Sequence, residues 1–130
     1  MLKRIDQAFG VLLLFGGCGH TAGTLLWLPA MSGMWVWSLG AALAVLLLGA
    51  LNLVRAARPH DRTIALIAVV GTAIWAVLAL AFGKSINNLL DVRALVHFVN
   101  SAVLVFFGIL TLRGTNSTEH RHRDLNLART

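Results

Sequence analysis

Only five of the 130 residues are acidic, and Asp6, Asp61, Asp91, Glu119 and Asp124 all fall at the ends of apolar runs, between them or in the C-terminal segment. A carboxylate in mid-membrane, as a proton-coupled exporter would use, is therefore not expected, nor is a paired-acid catalytic site. The lone cysteine, Cys18, excludes an internal disulfide and is too little for a thiolate zinc cluster. No nucleophile triad and no phosphate-binding glycine loop is present, so the chain is expected not to be an enzyme. Charge of either sign is scarce at 12% of residues, against 58% hydrophobic residues and a mean hydropathy of +0.79. That is more apolar surface than one soluble core absorbs, and the surplus must face lipid.

The apolar residues gather into four runs, about 5–28, 35–54, 63–82 and 92–112, each close to the roughly 20 residues that cross a 30 Å hydrocarbon layer. The expected fold is all-α: an integral membrane four-helix bundle, up-down-up-down, over residues 1–113, with 114–130 as a polar basic cytoplasmic tail. Lys3, Arg4, Arg55, Arg58, Arg62, Arg113, Arg121, Arg123 and Arg129 fall on one side of such a bundle, and only Lys84 and Arg93 on the other. This asymmetry predicts cytoplasmic termini and a location in the cell inner membrane. The net charge of +6 thus reads as a topology signal and an attraction for anionic lipid, not as a nucleic-acid interface, because no aromatic and basic face accompanies it.

Several local signals refine this reading. Phe15-Gly16-Gly17-Cys18 loosely imitates a lipoprotein processing site, but the apolar run continues to Leu28, so the thiol is expected to pack among helices. Gly19-x-x-x-Gly23 has the small-residue spacing of closely packed membrane helices. Pro29 ends the first run, and Trp27, Trp35 and Trp37 around it suit an interfacial belt. The second run offers one amide, Asn52, and no chemistry, while 55–62 reads as a basic loop in which Asp61 or Thr63 caps the next helix. Trp75 is too deep for the belt and is expected to pack inside the bundle. Asp91 is placed to cap the fourth helix, and 114–130 lacks periodicity and is expected to be mobile.

The residues that invite a functional reading are two histidines. His20 and His97 each lie roughly 8 to 12 Å below the outer surface at 1.5 Å per residue, nearly level on helices expected to be neighbours. Thr24 follows His20 by one turn, and His97, Asn100 and Ser101 share a face of the fourth helix, so these five form the candidate ligand-binding set. An ionisable group inside a membrane invites such a reading because burying one unpaired is costly. The first expectation is a non-enzymatic small membrane subunit or homo-oligomer, with lipid and another membrane chain as partners and no nucleic acid. An alternative is a binding or transport protein for a lipid, quinone, ion or other small molecule at the histidines. A second alternative is a bis-histidine haem b carrier. No bare metal site is expected, since Cys18 and His20 point to opposite sides of the helix.

Overall fold

The computed structural model describes the backbone of residues 1–127 and the side chains of residues 1–114. Four helices account for nearly all of it: α1 (Leu2–Trp27), α2 (Gly33–Ala57), α3 (Arg62–Ser85) and α4 (Val92–Leu127). Each contains a segment long and apolar enough to cross a membrane, which in α4 is Val92–Gly114. No strand occurs among the described residues.

The helix ends follow local chemistry. Pro29 lies two residues past the end of α1, and Ser32 Oγ accepts the Trp35 N–H at 3.2 Å to start α2. Pro59 disfavours helical backbone at the preceding residue, and Arg58 leaves it with φ −118° and ψ 67°. Nothing earlier stops α2, so the helix runs through Arg55, and the expected basic loop from 55 begins three residues later. Asp61 Oδ1 caps α3 through the Ile64 N–H at 3.0 Å. Between α3 and α4, Asn88 Oδ1 accepts the Leu90 N–H and Asp91 Oδ1 the Arg93 N–H. The Arg93 guanidinium also bonds the Asp91 carboxylate, holding its pKa at about 2. No proline follows Arg113, and the α4 backbone continues to Leu127 where an aperiodic tail was expected.

Packing is closest within the pairs α1–α2 and α3–α4, with lesser α1–α4 and α2–α3 contacts closing the bundle. The α1–α2 seam forms where leucines of one helix rest on glycines of the other. A Cβ at Gly17 would stand 2.8 Å from Leu46 Cδ2, and one at Gly49 would stand 2.8 Å from Leu14 Cδ2. Only glycine permits so close an approach. On α3 the buried face is small throughout: Ala65, Ala68, Thr72, Ala76, Ala79 and Gly83. The Gly19-x-x-x-Gly23 motif, by contrast, lies outside the seam. Gly19 has no atom within 4 Å of its would-be Cβ, and Gly23 meets only the Trp27 side chain. The α1 glycines that meet α2 are Gly10 and Gly17, seven residues apart, and not the pair of the expected packing motif.

Leu13, Val45 and Leu104 form the buried centre, with Phe9, Leu48 and Trp75 packed around it. Outside, Leu26 is 74% exposed, Trp27 81% and Trp37 82%, a degree of apolar exposure compatible with a bilayer rather than water.

Candidate functional site

Two polar layers flank the Leu13–Val45–Leu104 centre, and each is built by residues from several helices. The layer at the tryptophan-bearing end begins with a cyclic hydrogen-bond chain between α1 and α2. Thr24 Oγ1 spends its proton on the His20 carbonyl oxygen at 2.9 Å, so it must accept from Ser38 Oγ at 2.6 Å. Ser38 therefore accepts from His20 Nε2 at 3.1 Å. The order fixes the neutral His20 ring as its Nε2–H form, with Nδ1 the bare nitrogen. Ser38, which the sequence reading passed over, is what joins His20 to Thr24.

His97 is held from two other helices. Trp75 Nε1 on α3 donates to His97 Nδ1 at 3.4 Å, and the two rings meet edge to face at 5.7 Å and 80°. On its other side the imidazole rests on α1, where a Cβ at Gly16 would lie 2.8 Å from His97 Cε1. Gly16 is thus the glycine that makes room for an imidazole, but for His97 and not for its chain neighbour His20. His97 thus meets α1 at Gly16, one turn before His20 in the chain. The two rings belong to different hydrogen-bond systems. One nitrogen of each imidazole is engaged in these systems. Among the described residues no three His, Cys, Asp or Glu side chains converge as metal ligands.

Asn100 and Ser101, one turn along α4 from His97, are 3% and 0% exposed. Asn100 Oδ1 and Ser101 Oγ have no hydrogen-bond partner. A buried polar atom left unmet costs about 1–3 kcal/mol, so two on one helical face are a pronounced anomaly. The five expected site residues thus separate into His20 and Thr24, joined through Ser38, and His97, Asn100 and Ser101, the last two carrying the unmet oxygens.

The second layer, at the basic end, corrects the reading of Asp6, Asn52 and Arg55. Arg55 is completely buried and reaches three helices. Its Nη2 donates to Asp6 Oδ1 on α1 at 2.5 Å, its Nη1 to Thr111 Oγ1 on α4 at 3.1 Å, and its Nε to Asn52 Oδ1 on α2 at 3.2 Å. Asn52 Nδ2 then donates to Thr72 Oγ1 on α3 at 2.8 Å, bringing in the fourth helix. Asp6 is 7% exposed, so the bundle does enclose a carboxylate, near the start of α1. The signal was present in the sequence: Asn52 and Arg55 are three residues apart and share a face of α2.

No known protein family, no curated protein and no solved structure matches this chain.

Proposed function

We propose that this is a non-enzymatic multi-pass protein of the inner membrane, a subunit that assembles with further copies of itself or with another membrane chain. In this reading the helices run up-down-up-down, both termini are cytoplasmic, and the arginine-rich rim faces anionic lipid. Its supporting observation is the open Gly19–Gly23 face of α1, which has the spacing of a helix-packing motif and meets no other helix of its own bundle. The interior groups fit this role, since Arg55–Asp6, His20–Ser38 and His97–Trp75 each tie one helix to another. Particle mass in nanodiscs tests it. Two or more copies of the 14.0 kDa chain are expected for the wild type, falling to one copy in Gly19→Leu. A wild-type monomer contradicts self-assembly.

A second reading rests on a different observation, the unmet oxygens of Asn100 and Ser101 beside His97. Here the bundle binds a small molecule drawn from the bilayer at these three residues.

A further inference from the structure

We infer that His97, Asn100 and Ser101 form an internal binding site for a neutral hydroxyl group. The inference rests on the second reading above and names the chemistry of its guest. Trp75 Nε1–H occupies His97 Nδ1, so the neutral ring carries its proton on Nε2. Among the described residues that Nε2–H meets no acceptor, and the Trp75 bond is the one hydrogen bond of the His97 ring. Asn100 Oδ1 can only accept, and Ser101 Oγ can donate or accept. Asn100 and Ser101 follow His97 by three and four residues along α4, so each neighbours the imidazole on the helix surface. Together they offer one donor, one acceptor and one group of either kind, complementary to an O–H that donates and accepts at once.

Size and charge narrow the class. Leu13, Leu104 and Trp75 build the neighbouring core, an environment that penalises an ion. The closest buried charges, Arg55 and Asp6, neutralise one another. Thr111, which Arg55 bonds, lies about 15 Å of helix rise from Ser101. A hydroxyl held by two to four polar partners is what a polar interior site of this kind retains, and this one supplies three. Water and the hydroxyl of a lipid alcohol share that chemistry.

The test uses full-length protein in nanodiscs of phosphatidylcholine and phosphatidylglycerol. If a hydroxyl is bound, Ser101→Ala and Asn100→Leu each lower the thermal midpoint by about 3 to 6 °C. An unchanged or raised midpoint in Ser101→Ala overturns the proposal, because deleting a truly unmet oxygen relieves its desolvation cost. The wild type gives a readout that does not depend on variants folding. Density within hydrogen-bond reach of Ser101 Oγ in a high-resolution map is expected, and continuous apolar packing there would overturn the site. Titrating 1,2-dioleoylglycerol into the nanodiscs then separates the sources. A dose-dependent rise in the wild-type midpoint, absent in Ser101→Ala, assigns the hydroxyl to a lipid alcohol. An indifferent midpoint with the variant effects intact assigns it to water, which keeps the hydroxyl site and removes the reading of a bilayer-derived ligand.

Discussion

Gly16 and Gly19 are three residues apart on one helix and have opposite surroundings. At Gly16 an added methyl would stand 2.8 Å from the His97 ring, and the ring is itself bonded to Trp75, so it cannot move aside without loss. At Gly19 the space is open. Gly16→Ala is therefore expected to destabilise the monomeric bundle by about 1–3 kcal/mol through overpacking. Gly19→Ala should be neutral, or stabilising by up to about 1 kcal/mol from helix propensity. Unfolding in detergent, with the particle held monomeric, checks both. Equal effects would mean that His97 does not rest on α1. From the sequence, His97, Asn100 and Ser101 were recognisable as one helical face, because spacing alone decides that. What spacing could not convey was that Ser38 and Trp75, on other helices, engage one nitrogen each of His20 and His97. Partners across a bundle depend on interhelical register, which no single run of residues encodes.

The helices were legible as elements from hydropathy and proline, and the starts of α3 and α4 from Asp61 and Asp91, whereas the Ser32 cap of α2 emerged only with the fold. The cluster around Arg55 was not, because an arginine at the edge of an apolar run reads as a loop residue until the helix is known to continue past it. Its burial makes a definite energetic prediction. Asp6→Ala strands a fully buried guanidinium and should cost about 3–5 kcal/mol. Replacing both partners by apolar residues, Asp6→Leu with Arg55→Met, should cost much less than the single change, since no uncompensated charge then remains. A double-mutant cycle on folding stability measures the coupling. Near-additive effects would place the pair in solvent, where ion pairs contribute little. Because the same arginine engages Thr111, and Asn52 engages Thr72, this cluster fixes the register of all four helices at one end. The glycine and leucine seam sets only how closely α1 and α2 approach.

At the scale of the molecule, the four apolar segments and their close pairing are compatible with a bundle bathed in lipid, and the buried polar side chains among the described residues gather in two interior layers. The orientation of that bundle, and with it the assignment of the Arg55 layer to the cytoplasmic side and of the His97 layer to the outer side, rests on the uneven distribution of lysine and arginine. Cysteine labelling of intact and permeabilised cells addresses it directly, in a Cys18→Ser background. Ala30→Cys and Asn88→Cys lie in the α1–α2 and α3–α4 links, and His60→Cys in the α2–α3 link. With a membrane-impermeant maleimide, Ala30→Cys and Asn88→Cys should label in intact cells, and His60→Cys only after permeabilisation. Labelling of His60→Cys together with Ala30→Cys in intact cells would contradict a four-span bundle with its basic end inside.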